Sequence, residues 1–121
     1  MRLAVCGVSR AETDQICGCI RQYCADRRMA VELCPLESME VFWRDFVPGA
    51  YSFAVLGEED TAGFLAARRL RERDRRCRIL LISDTDRYAL QGVRLHLTDF
   101  LLRPVSRARL ERGLDLLLKL R

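Results

Sequence analysis

The feature that most narrows what this chain can become is a repeated change of hydrophobic period. Short apolar runs at Arg2–Cys6, Met29–Cys34, Ser52–Leu56, Arg78–Ile82 and Asp99–Leu102 alternate with segments whose apolar residues recur every three to four positions. A continuous apolar run suits a strand covered on both faces, and the longer spacing suits a helix with one buried stripe. Ser9 or Thr13 can cap a first helix carrying Ile16, Ile20 and Tyr23. Pro35 stops the second strand because it cannot donate to a ladder. Ser38 caps a second helix through Val41, Phe42 and Phe46, ended by Pro48-Gly49. Thr61–Asp74 reads as a third helix with Phe64, Leu65 and Leu70 inward, and Asp86–Val93 as a short fourth. After Pro104, Ser106 caps a last helix with Leu110, Leu114, Leu117 and Leu118. Five strands alternating with five helices predict an α/β domain with a doubly wound parallel sheet. The 121 residues make one domain, with no repeat, linker or low-complexity stretch.

In such folds ligands meet the carboxyl ends of the strands. Gly7-Val8, Gly57-Glu58, Ser83-Asp84 and Arg103-Pro104 each follow a strand and are expected around one pocket. No strand-to-helix loop offers the glycine and hydroxyl run that cradles a phosphate, so an enzyme of the flavin-binding kind is not expected, nor any other cofactor.

Composition closes further options. No apolar run approaches the roughly 20 residues that span a bilayer, and the polar Ser9–Asp14 follows too soon for a signal peptide. A cytoplasmic location is expected, without membrane contact. The six cysteines then read as thiols in a reducing compartment, and Cys17-Gly-Cys19 lacks a second pair at zinc-ligand spacing. No metal site is expected. A cysteine-based redox module would use Cys6 beside the pocket, or Cys17 and Cys24 on one helix. His96 is the only histidine, which removes Cys–His nucleophiles as a class. The net charge of +4 is carried almost wholly by arginine, Lys119 being the only lysine. The densest cluster, Arg68 to Arg78, is diluted by Glu72 and Asp74 and has no interleaved aromatics, so it reads as a solvated helix face rather than a nucleic-acid patch. Among Phe42, Trp43 and Phe46 one or two rings should face the sheet. Leu114, Leu116, Leu117, Leu118 and Leu120 exceed one buried stripe and suggest a covering partner.

The opening Met1-Arg2-Leu3-Ala4-Val5-Cys6, then Tyr88-Ala89-Leu90-Gln91-Gly92, His96, and Asp99-Phe100-Leu101-Leu102-Arg103-Pro104-Val105 carry a resemblance that covers essentially the whole chain. With these motifs the sequence resembles the receiver domain of response regulators (CheY-like), especially the kind that precedes LytTR-type DNA-binding domains. The resemblance implies a flavodoxin-like sheet in the order 2-1-3-4-5. It also implies a phosphorylation site: two acids after the first strand for Mg²⁺, an aspartate after the third to accept a phosphoryl group, a hydroxyl after the fourth, and a lysine with an adjacent proline after the fifth. The two acids fall on Gly7 and Val8, and the acceptor falls on Gly57. Ser83 matches the hydroxyl position, Arg103 replaces the lysine, Phe100 stands at the switch aromatic, and Pro104 implies a cis Arg103–Pro104 bond. A shifted register would put Glu58, Glu59 or Asp60 in the acceptor role, at the expense of the preceding apolar strand.

The expectation is therefore a pseudo-receiver, independent of phosphorylation, that regulates signalling or transcription through protein contacts. Arg103 paired with Glu58 or Asp84 would lock it in one conformation. The resemblance implies a homodimer through the fourth helix, fifth strand and fifth helix, with Tyr88, Leu90, Val93, Leu101, Leu110, Leu114 and Leu117 on that face. DNA enters only through an output domain that would follow Arg121.

Overall fold

A computed structural model of the chain describes residues 1–118, the side chain of Asp60 excepted. Its elements are β1 (Arg2–Cys6), α1 (Arg10–Asp26), β2 (Glu32–Pro35), α2 (Met39–Asp45), β3 (Phe53–Leu56), α3 (Asp60–Arg73), β4 (Arg78–Ser83), α4 (Ala89–Arg94), β5 (Asp99–Leu102) and α5 (Arg107–Leu118). The five strands form one parallel sheet in the order β2-β1-β3-β4-β5. This is the doubly wound, flavodoxin-like arrangement expected from the alternation. Because successive strand side chains point to opposite faces, β1 sends Leu3 and Val5 to one side and Ala4 and Cys6 to the other. The first pair joins a core with Ile16, Ile20, Tyr23 and Leu114, under α1 and α5. The second joins Phe42, Leu70 and Leu81, under α2 and α3.

Local chemistry fixes the helix ends. Ser9, not Thr13, caps α1, its hydroxyl accepting from the Glu12 N–H at 3.2 Å. Ser38 caps α2 and Ser106 caps α5 in the same way, through Val41 and Arg109. At the far end of α1, Arg28 adopts φ 55°. The Arg28 N–H reaches the Ala25 carbonyl and the Met29 N–H the Cys24 carbonyl, a Schellman closure. This turn consumes Met29, which is why β2 starts at Glu32 rather than at Met29. His96 closes α4 in the same manner with φ 55°.

Three further expectations need correction. The α4 helix starts at Ala89 instead of Asp86, because the Thr85 hydroxyl takes the Arg87 N–H and the Asp86 carbonyl the Ala89 N–H, forming a turn. Leu65 faces solvent: Phe64, Ala67 and Leu70 share the buried face of α3, and Leu65 lies beyond its edge. The α2 helix ends at Asp45, before Pro48-Gly49 is reached.

Asp74 ties two loops together. Its buried carboxylate accepts from the N–H groups of Gly49 (2.9 Å), Arg76 (2.9 Å) and Cys77 (3.1 Å). Burial alone would raise its pKa, yet these donors hold it net below the usual carboxylate value. Replacing Asp74 by Ala strands three N–H donors, so Asp74→Ala should lower unfolding free energy by about 3 kcal/mol. Urea denaturation at neutral pH measures this, and a loss of under about 1 kcal/mol would show that water replaces the carboxylate freely.

Candidate functional site

The four loops at the carboxyl ends of β1, β3, β4 and β5 do converge. The Gly57 N–H donates to the Cys6 carbonyl at 2.7 Å, closing β3 onto β1. The Arg103 N–H donates to the Ser83 carbonyl at 2.8 Å, closing β5 onto β4. The Arg103–Pro104 peptide is cis, as the resemblance implies, and the Arg103 side chain turns back across the strand ends.

What meets Arg103 there is Glu12, from the first turn of α1. Arg103 Nε donates to Glu12 Oε2 at 2.7 Å and Nη2 to Glu12 Oε1 at 2.9 Å. This is a two-pronged guanidinium–carboxylate pair whose side chains are only 14% and 18% exposed. Nη2 also donates to the Gly57 carbonyl. Nη1 is enclosed without a hydrogen bond, and Asp84 Oδ2 lies 3.5 Å from it. The Val8 N–H completes the cluster by donating to Glu12 Oε1 at 2.9 Å. Burial pushes the Glu12 carboxyl up, but its bonds from Arg103 and Val8 outweigh that and leave it below the usual range. The Arg103 guanidinium is pushed up, first by its hydrogen bonds to Glu12.

The two glycines make room for this pair. A Cβ on Gly57 would stand 2.6 Å from Glu12 Oε1, 3.1 Å from the Gly7 Cα and 3.2 Å from Arg103 Nη2. The Glu12 carboxylate thus occupies the space into which a side chain at position 57 would grow. A Cβ on Gly7 would meet the backbone N of Thr13 at 2.8 Å, and the Gly7 N–H donates to the Thr13 hydroxyl, also at 2.8 Å. Gly7 cannot gain a side chain without moving the start of α1, and Gly57 cannot gain one unless the Glu12 carboxylate turns away.

The expected charge partners are corrected in part. Asp84 does pair with Arg103, but Glu58 makes neither an ion pair nor a hydrogen bond with it, and Glu12 takes that role. Pattern reading missed Glu12, although the signal was present. Ser9-Arg10-Ala11-Glu12 is a capping-box spacing, in which the acid reaches back over the helix start. Here it reaches back to Val8. Ser83 is buried, its hydroxyl accepting from the Thr85 N–H at 3.3 Å. Phe100 is half-buried against the α2/α3 core. Glu58 is half-buried and Glu59 exposed, and the side chain of Asp60 lies outside the described residues.

A divalent cation does not fit this pocket. Gly7 and Val8 offer no side-chain donor, and Glu12 and Asp84 already face the Arg103 guanidinium. Among the described residues no cluster of three His, Cys, Asp or Glu could hold a metal.

The expected contact face divides. Leu101, Leu110, Leu114 and Leu117 are buried in the core. Leu101 lies within β5 in the sheet, and Leu110, Leu114 and Leu117 form the apolar stripe that α5 turns inward, so none of the four can form an outer surface. Leu90 and Val93 on α4 are exposed at 82% and 72%, with Leu102 and Leu116 partly so. Tyr88 is half-buried, stacked on Phe64 with ring centroids 4.6 Å apart and sharing a 2.8 Å hydrogen bond with Thr61. Leu120 lies outside the described residues. On α2, Phe42 and Phe46 face the core, while Trp43 is half-buried. His96 serves through its backbone: its carbonyl accepts from Arg71 at 3.3 Å.

All six thiols are free. Cys6, Cys17 and Cys24 are buried, and burial pushes the Cys6 thiol up to about 11 and those of Cys17 and Cys24 in the same direction. Reactive cysteines need the opposite shift. No helix among the described residues is long and apolar enough to cross a membrane.

No family model and no curated protein matches the chain. Solved structures do. The non-phosphorylated receiver domain of HemR from Leptospira biflexa superposes with a TM-score of 0.80 at 14% identity, over 99% of this chain and 95% of that one. A signal receiver domain of a two-component histidine kinase from Clostridium thermocellum gives 0.72 at 15% identity, over 98% of both chains. The response regulator TrrA from Thermotoga maritima, in complex with Mg²⁺-BeF, gives 0.74 at 15%, over 97% and 98%. The chain therefore has the receiver-domain fold. At these identities the likeness is one of fold, and the chemistry of the site rests on its own residues.

The Glu12–Arg103 pair has a pH signature. A carboxyl whose folded pKa is depressed stabilises the fold fully above its unfolded value, ordinarily 4.5, and loses that contribution as pH falls through the folded value. Glu12→Gln should therefore be less stable than the parent by about 2 kcal/mol at neutral pH, and the gap should shrink at about pH 3. Urea unfolding at the two pH values checks this. An equal gap at both would mean that the carboxylate's charge contributes nothing.

Proposed function

We propose that this chain is a pseudo-receiver: a regulatory domain of the response-regulator kind that works by protein contacts and without phosphorylation. One observation carries the reading. The Glu12 carboxylate, paired to Arg103, fills the space at Gly57 where a receiver would present its acceptor aspartate. A carboxylate held against the strand-5 cation resembles, in charge and position, the anion that phosphorylation would supply. TrrA was captured with Mg²⁺-BeF; here Gly7, Val8 and Gly57 give such a group neither metal ligand nor acceptor. The domain is thus held in one charge state by its own sequence, with Asp84 as a second counter-ion at the mouth. A redox module is disfavoured by the raised thiol pKa values, and a shifted acceptor at Glu58, Glu59 or Asp60 would still lack acids at positions 7 and 8.

Contacts would be made through the α4–β5–α5 face, where exposed Leu90 and Val93 supply the apolar centre of a homodimer or of a partner interface. The resemblance to LytTR-type receivers makes transcription regulation in the cytoplasm the reading for a longer chain with an output domain. The free-standing alternative is an adaptor.

Incubation with Mg²⁺ and acetyl phosphate, followed by intact-mass spectrometry, should leave the mass unchanged. A single phosphoryl adduct mapped to Glu58, Glu59 or Asp60 would overturn the reading. Independently, Arg103→Ala should weaken partner binding or self-association by at least about tenfold, roughly 1.4 kcal/mol, and unchanged association would sink the charge-lock part of it.

A further inference from the structure

The opposite end of the sheet, at the amino ends of β4 and β5, holds a cleft of about 550 Å³. It is lined by Arg71 from α3, Arg75 and Arg76 from the following loop, Arg78 from β4 and Arg94 from α4. None of the five is paired with a carboxylate among the described residues. Arg71 donates only to the carbonyls of Leu95 (2.8 Å), Asp74 (3.1 Å) and His96 (3.3 Å). Arg78 donates to the Leu117 carbonyl at 3.4 Å. The side chains of Arg75, Arg76 and Arg94 are exposed and make no hydrogen bond or ion pair among the described residues. Neutral carbonyls orient a guanidinium without cancelling its charge. Glu72 is the single acid in the lining, and nearby Asp74, which attracts Arg71 without an ion pair, accepts from three backbone N–H groups.

Arg68, Arg69, Arg73, Arg75 and Arg76 are exposed, in keeping with a solvated face, but the cluster's arginines serve different neighbours. Arg69 and Arg73 leave it to stack on Trp43 (4.1 Å to the ring centroid) and Phe46 (5.1 Å). Arg68 lies over Phe64, while Arg71, Arg75, Arg76 and Arg78 of the cluster, joined by Arg94 from α4, line one concavity. Like charges brought together repel unless an anion joins them, and the planar fork of arginine matches the oxygens of a phosphate. The volume lies in the range of small-ligand sites rather than of extended grooves. Its lining includes no Phe, Tyr or Trp, so nothing is provided on which a base could stack.

We infer that this cleft is a binding site for a compact oligophosphate, recognised through a run of phosphates by Arg71, Arg75, Arg76, Arg78 and Arg94. A nucleoside carried on the phosphates contributes little, so a nucleoside triphosphate and free tripolyphosphate bind alike. The site is separate from Arg103 and does not depend on the pseudo-receiver reading.

Titration calorimetry with tripolyphosphate, ATP and AMP tests this on the whole chain. Tripolyphosphate and ATP should bind within about threefold of each other, and AMP at least tenfold more weakly, since fewer charges engage the cleft. Arg75→Gln with Arg94→Gln should weaken tripolyphosphate binding at least tenfold, while Arg10→Gln with Arg21→Gln, equal in charge change but on α1, should leave it within twofold. Arg76→Gln, also exposed, repeats the test if the double variant melts early. Equal losses in the two double variants would reduce the effect to net charge and overturn the site. So would the absence of tripolyphosphate binding, or binding confined to single-stranded DNA, which would make this a nucleic-acid surface.

Discussion

Arg103 enters the carboxyl end of the sheet with a charge that solvent barely reaches, and the geometry around it follows from neutralising that charge. A cation enclosed without a counter-ion is costly enough that proteins rarely tolerate it. Glu12 answers from α1 with two hydrogen bonds, and Asp84 approaches at 3.5 Å from the β4 end. The pair therefore joins elements far apart in sequence: the start of α1, the β3 carbonyl at Gly57 and the turn after β5. Its net contribution against a well-packed apolar substitute is small, because both partners must be desolvated. Removing one partner alone is another matter, since the survivor is left buried and charged. The pair is thus better described as a constraint on geometry than as a source of stability.

The constraint explains two glycines that would otherwise read as simple losses. For Glu12 to reach Arg103, α1 must start close against β1 and β3, and a Cβ at Gly7 would strike the Thr13 backbone at 2.8 Å. At Gly57 a side chain would compete directly with the glutamate. Glycine at 57 and glutamate at 12 are therefore coupled: either residue alone makes little sense, and together they fill one volume. An acidic side chain at position 57 would have to displace Glu12 and would then stand beside Arg103 in its place. The two arrangements exclude one another by sterics as well as by charge.

Most of the fold could be read from the chain because hydrophobic period is a local property. β5 at Asp99–Leu102 falls where its apolar run indicates, and β1 likewise. Errors gathered where backbone closure overrides period. β2 lost its first residues to the left-handed turn at Arg28, and α4 lost its first turn to hydroxyl and carbonyl bonds at Thr85 and Asp86. The four loops of the site were legible from strand ends alone. Glu12 was not, because its role depends on how close α1 lies to Arg103, a distance across 91 residues. The buried leucines of α5 were misassigned for a related reason: a helix rich in leucine does not announce which stripe faces the sheet until the sheet is present.

The two ends of the sheet resolve their charges in opposite ways, and this asymmetry bears on how the domain can be regulated. At the carboxyl end Arg103 has Glu12 and Asp84 as internal partners, so an outside anion would have to displace Glu12 before it could pair with Arg103 as closely. At the amino end Arg71 and Arg78 are oriented by carbonyls, and none of the cleft's five arginines forms an ion pair among the described residues. An external anion there displaces only water and diffuse counter-ions. Arg71 links that end to the turn after α4 through the Leu95 and His96 carbonyls, and α4 carries exposed Leu90 and Val93. Charge arriving at the cleft would therefore bear on the turn that ends α4, the helix on which Leu90 and Val93 are exposed. The proposed anion site and the internal Glu12–Arg103 pair thus lie at opposite ends of one sheet, and only the first would be open to a ligand from outside.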